Sequence, residues 1–75
     1  MTTYNGHKNW NHWNVSLWIN NDEGLYNLAR RIQREKRADA AARAFVLTLA
    51  DDGVTRTPDG APYSVSAVRA AMVDM

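Results

Sequence analysis

Cysteine is absent from this chain, which removes disulfides and thiolate metal sites as sources of stability. That absence fits a cytoplasmic protein. Long apolar runs are missing too: none approaches the roughly 18 residues a membrane span needs. The first nine residues hold no hydrophobic core, so no signal peptide is expected. Charge of one sign is also lacking, since nine Lys and Arg against eight Asp and Glu leave a formal net charge of +1. Such a balance argues against an acidic DNA mimic and against a wholly basic nucleic-acid binder, while leaving room for a local patch. Glycine is sparse, at four residues, and none belongs to a phosphate-cradling loop. No internal repeat is visible.

What the chain does have is tryptophan. All three fall in residues 10–18, inside an aromatic and amide-rich stretch, NWNHWNVSLWINNDEGLY, over residues 9–26. A 75-residue domain buries only about 60% of the surface its unfolded chain exposes. Large aromatics, each able to bury about 150–250 Å², are the means left to concentrate burial. The expectation is a single helical domain over residues 9–75 behind a flexible lead-in over residues 1–8, in which Tyr4 packs back on the core or trails free.

Helical periodicity divides the domain into four. A first helix over residues 10–19 has Asn9 as its N-cap. At about 100° per residue, Trp10, Trp13 and Leu17 share one face, and Val15, Trp18 and Ile19 share another. A helix apolar on two sides is the buried centre of a domain, or it leaves one side for a partner. Asn20-Asn21-Asp22-Glu23-Gly24 reads as a tight break in which Asn21 caps the next helix. The alternating oxygen ligands and final glutamate of a calcium loop are missing from it.

The second helix, over residues 22–37, carries an apolar stripe of Leu25, Leu28, Ala29 and Ile32. Its opposite face and end are basic, with Arg30, Arg31, Arg34, Lys36 and Arg37. A solvated helix face is the plain reading of that run. A phosphate-contacting or protein-contacting patch is the functional one. A third helix over residues 39–51 has Asp39 as N-cap, although nothing at Ala38 or Ala40 to Ala42 forbids continuity with the second. Ala42, Phe45, Val46 and Leu49 form its core stripe, and Gly53 supplies the left-handed residue that stops it. Thr57-Pro58-Asp59-Gly60 has the residues of a type I turn, with a minimal hairpin around it. Ser64 caps a fourth helix that runs from Val65 to the C-terminus, with Val65, Val68, Ala71 and Met72 inward and Arg69 outward. The fold class is therefore mainly α: a compact four-helix domain with a short turn or minimal β-hairpin before the last helix. Leu17, Leu28, Ile32, Phe45, Val46, Leu49, Val68 and Met72 are expected to complete a core centred on the Trp helix.

No catalytic constellation emerges from these residues. His7 and His12 are the only histidines, and a zinc site needs about four placed ligands. The carboxylates sit at helix starts and in turns, where capping explains them. Ser16, Ser64 and Ser66 lack the setting of an activated nucleophile. No cofactor or metal is expected, and the chain reads as a non-enzyme. The tryptophans could stack bases, but they are interleaved with Asn and His rather than Arg and Lys.

Two stretches carry resemblances. Residues 53–72 are similar to a segment of large serine recombinases, in which a T-P-x-G turn and an aromatic-Ser pair precede an S-x-x-V-R helix. This resemblance implies DNA contact through Ser66 and Arg69, although the helix spacing is long for a helix-turn-helix. Residues 10–26, together with Asn5, Gly6 and Asn9, resemble a family of small phage and plasmid proteins. Its signature is N-[YW]-x-x-W-N-V-x-L-W-[IL]-x-N-D/E, with a later T-P-D-G and aromatic, here Thr57 to Gly60 and Tyr63. His12 departs from the threonine common before the second tryptophan. The resemblance implies a mobile-element protein that acts in the host cytoplasm by binding a host protein or complex, as an inhibitor of a defence system such as a CRISPR effector. The partner-binding candidates are then Trp10, Trp13, Trp18, Arg30, Arg31, Arg34 and Arg37. The alternative is a small DNA- or RNA-binding regulator that uses Arg34, Lys36, Arg37, Ser66 and Arg69. A homodimer that closes the second apolar side of helix one is a further arrangement open to it.

Overall fold

The computed structural model describes residues 8–73. Readings that rest on Tyr4, Asn5, Gly6 and His7, or on residues 74 and 75, lie outside them. Four helices follow in order: α1 (Trp10–Asn21), α2 (Glu23–Glu35), α3 (Ala38–Asp51) and α4 (Val65–Val73). They close a ring, with α1 packed on α2, α2 on α3, α3 on α4, and α4 back on α1. Among the described residues the only β pairing is an isolated antiparallel bridge between Arg56 and Pro62, the minimal form of the expected hairpin.

Several local signals act as the sequence suggests. The Asn9 side chain accepts from the His12 backbone N–H at 3.0 Å and so caps α1. Ser64 Oγ accepts from the Ala67 N–H at 3.1 Å at the start of α4. At the end of α3, Val54 N–H reaches the Leu49 carbonyl and Gly53 N–H the Ala50 carbonyl, both at 2.9 Å. That pair of bonds is a Schellman ending, and it needs the positive φ of 79° that Gly53 adopts. The 57–60 turn closes through Gly60 N–H on the Thr57 carbonyl at 2.8 Å.

Other local expectations are corrected. Helix α1 continues through Asn21, so the cap of α2 is Asp22, whose Oδ1 accepts from the Leu25 N–H at 3.0 Å. Asn20 and Asn21 stay helical because their amides donate back to the Ser16 and Leu17 carbonyls, each at 2.8 Å. Helices α2 and α3 are separate, as their expected bounds have it, but the junction lies earlier. Lys36 and Arg37 are extended between them, and Arg37 occupies the N-cap position with no side-chain bond. Asp39 is therefore not a cap; it lies in the first turn of α3 and pairs with Arg69 of α4 at 2.6 Å. No glycine or proline marks this break. Folding back is what lets α3 bury Ala41, Ala42, Phe45 and Leu49.

The core contains Val15, Ile19, Ile32, Phe45, Val68 and Met72, with Leu28 and Val46 packed at its edge. Leu17 does not join it: 37% of its surface is exposed, and Trp10 beside it is 38% exposed. The side of α1 that carries Val15 and Ile19 is the buried one. Five helical alanines, Ala29, Ala41, Ala42, Ala67 and Ala71, are fully or almost fully buried. Their small side chains let the helix backbones approach closely. Phe45 fills the centre and meets Tyr63 edge to face, with ring centroids 6.3 Å apart.

Candidate functional site

Two polar residues of α1, Asn14 and Ser16, are buried, and the more telling is Asn14, at 1% exposure. A buried amide must have its donors and acceptor satisfied. Asn14 achieves this through the 57–60 turn. Its Oδ1 accepts from the Thr57 hydroxyl at 2.5 Å, and its Nδ2 donates to Asp59 Oδ2 at 2.8 Å. Thr57 is itself buried, and its Oγ1 accepts from the Ala61 N–H at 3.1 Å. The indole N–H of Trp18, one turn along α1 from Asn14, donates to the same Asp59 oxygen at 2.9 Å. Donation from Asn14 first, and Trp18 second, holds the Asp59 carboxyl below its ordinary 3.8. The tryptophan-rich motif and the T-P-D-G turn, 41–45 residues apart, are thus two halves of one polar clasp.

Beside the clasp lies a groove of about 500 Å³, lined mainly by carbon. Such a volume sits within the about 300–1,000 Å³ typical of ligand pockets. Leu25 and Leu28 of α2 line one side, and buried Leu49 and Tyr63 lie deeper. Trp18 borders it with the exposed Val54 and Pro58. Gly24 and two charged residues, Asp22 and Arg56, complete the lining. Arg56 donates to the Gly60 carbonyl at 2.9 Å. Burial, and then the nearby Asp22 charge, push the Tyr63 phenol above its ordinary 10.0. The apolar walls suit a hydrophobic side chain of a partner, and the charged groups can orient it.

The candidate residues named from sequence do not form one site. Trp18 lines the groove, Trp10 lies on the exposed outer side of α1, and Trp13 is partly buried. Arg30, Arg31 and Arg34 are exposed along the second half of α2, and Lys36 and Arg37 are exposed at the following corner. None of these five has an ion-pair partner among the described residues. Of the residues in the nucleic-acid alternative, Lys36 and Arg69 line a smaller pocket of about 220 Å³ with Gln33 and Met72. Arg69 is paired with Asp39, and the Ser66 hydroxyl is within 3.1 Å of His12 Nε2, tying α4 to α1. Among the described residues, no three His, Cys, Asp or Glu side chains are grouped to hold a metal ion, and no helix is long and apolar enough to cross a membrane.

Sequence reasoning missed Asn14 and Val54, and it read Leu25 only as a core-stripe residue and Thr57 only as a turn residue. Asn14 did leave a signal. An asparagine at mid-helix between apolar neighbours is a poor helix former and calls for a specific partner. The groove left none, because it is assembled from the ends of three helices and a turn.

Together these features define a closed four-helix domain with a turn clasped to its first helix and an apolar groove beside the clasp. The chain belongs to a family of unknown function, DUF7249, whose model matches residues 1–75. No curated protein and no solved structure matches it.

Proposed function

We propose that this protein is a non-enzymatic binding domain whose docking surface for a partner protein is the groove lined by Trp18, Leu25, Leu28 and Val54. The observation that carries the proposal is the groove itself: a concave, mainly apolar surface of about 500 Å³ beside the hydrogen-bonded clasp. Grooves of this kind accept an anchor side chain from a partner, and hydrophobic anchors in pockets dominate interface energies. On the resemblance of the tryptophan motif to mobile-element proteins, the partner is a host protein or complex, with a defence effector such as a CRISPR complex as the target.

The test is affinity capture from host lysate with three forms of the protein. Wild type should recover a stoichiometric protein. Val54→Lys, which puts a cation in the apolar lining, should lose it. Arg31→Glu/Arg34→Glu should retain it. Equal recovery by wild type and Val54→Lys, with both folded by circular dichroism, would remove the groove from the proposal.

A second reading, phosphate binding, is favoured by the five exposed cations over residues 30–37 that lack ion-pair partners among the described residues. Counterion release makes such binding fall steeply with salt. Absence of a mobility shift with mixed oligonucleotides at low salt would sink it.

A further inference from the structure

The smaller pocket, of about 220 Å³, is lined by Gln33, which carries the one buried side-chain polar atom without a hydrogen bond among the described residues. That atom is Oε1. The amide is held by its other end, since Nε2 donates to the Met72 carbonyl at 2.9 Å near the end of α4. A buried acceptor left unpaired is costly, so it calls for a donor. The terminal torsion of a glutamine is broad, and a small turn about it presents Oε1 to a donor that enters the pocket.

The rest of the lining has the opposite need. Lys36 and Arg69 are its charged members, and it includes no acid. Asp39 pairs with Arg69 at 2.6 Å, which leaves Lys36 as the uncompensated charge. Ala38, also in the lining, opens α3. The N-cap of that helix, Arg37, makes no side-chain bond to the first-turn N–H groups. Their positive partial charge favours an anion. Ala38, Met72 and Val73 add apolar wall. One side of the pocket thus suits a single anion and the other a single N–H donor. The space lies below the roughly 300–1,000 Å³ of pockets that enclose a whole small ligand.

We infer that this pocket takes the C-terminal residue of a partner polypeptide. The carboxylate lies against Lys36 and the start of α3, the residue's own N–H donates to Gln33 Oε1, and an aliphatic side chain packs on Met72 and Val73. A C-terminal residue carries an anion and a donor on one Cα. A phosphodiester supplies an anion with no donor, and an internal amide supplies a donor with no anion. Capture of a terminal carboxylate is a recurring mode of peptide recognition. The pocket shares no lining residue with the groove, so it is tested apart from the docking reading.

The experiment titrates the full chain with acetyl-Gly-Gly-Leu and follows amide chemical shifts. The free-acid peptide should shift the side-chain amide of Gln33 and the backbone amides of Lys36, Ala38 and Val73, and leave Gly24 and Val54 of the groove in place. Capping its C-terminus as an amide should weaken binding about tenfold or more, since a charge-assisted contact is lost. Replacing the Gly-Leu amide by an ester removes the N–H and should weaken binding several-fold. Lys36→Gln should weaken it about two- to fivefold, as expected for one exposed ion pair. The fold should survive that change, because Lys36 is exposed and its backbone N–H stays on the Ile32 carbonyl. No shift with the free acid would overturn the inference. Equal binding of acid and amide forms, or of amide-linked and ester-linked peptides, would overturn it as well. Inorganic phosphate that moves the same amides as strongly as the peptide would make the pocket a general anion site, and would also overturn it.

Discussion

Two of the seams in this domain are made of different chemistry. Where α3 meets α4, the buried residues are Ala41, Ala42, Phe45 and Leu49 against Ala67, Val68, Ala71 and Met72. No direction is specified there; volume and burial do the work. Where α1 meets the 57–60 turn, Asn14, Thr57, Trp18 and Asp59 meet through directed hydrogen bonds. A polar seam adds little net free energy when complete, but an unpaired buried member is costly. The apolar seam thus supplies stability, and the polar seam fixes where the turn sits. The position of the turn in turn shapes the groove, since Trp18 and Pro58 line it.

The largest blow to this pairing should come from the apolar side. Phe45→Ala should cost about 3–5 kcal/mol by denaturant unfolding, because Phe45 is fully buried and its neighbours cannot collapse into the void. A loss below about 1 kcal/mol would show that the seam is loosely packed. On the polar side, Asn14→Ala should cost about 1–3 kcal/mol, since it strands the buried Thr57 hydroxyl. It should also release Trp18 and Asp59 from a shared network, read as a change in tryptophan emission.

The pH response should separate the seams further. Asp59 is held below its ordinary 3.8, so its contribution is present in full above the ordinary carboxylate range and is lost as the pH falls through the lowered value. Asp59→Asn should lower Tm at neutral pH by less than Asn14→Ala, and the gap to wild type should close on acidification. A gap that persists at pH 2 would mean that charge is not what holds the turn. The smallest effect belongs to Arg69→Gln. This exposed pair with Asp39 should contribute at most about 0.5 kcal/mol, within reach of a careful denaturant series.

The same contrast explains what was legible in the sequence. Helix existence was readable because it follows from local period and from caps such as Asn9, Ser64 and Gly53, which act within one turn of chain. The buried face of α1 was only half readable. Both of its sides are apolar, so periodicity could not choose between Leu17 and Ile19, and packing against α4 decided it. The cap of α2 was misplaced by one residue because Asn21 and Asp22 are both good caps; back-bonding by the Asn20 and Asn21 amides settled it. The break at Lys36 and Arg37 carries no glycine or proline, and the sequence placed it a residue or two late, on an Asp39 cap that does not form. The clasp was visible only as two separate motifs, since nothing in the spacing of Asn14 and Thr57 shows that the chain brings them together. The groove depends on several helix ends meeting, which no single stretch encodes.

The central claim is that the tryptophan motif and the T-P-D-G turn are one cooperative unit. It is tested most directly by a double-mutant cycle at Asn14 and Thr57, the two buried members, using Asn14→Ala, Thr57→Val and the double variant. A shared unit predicts a coupling energy of about 1 kcal/mol or more, with the double variant much less damaged than the sum of the singles. Additivity within about 0.3–0.5 kcal/mol would contradict it and reduce the clasp to two independent contacts.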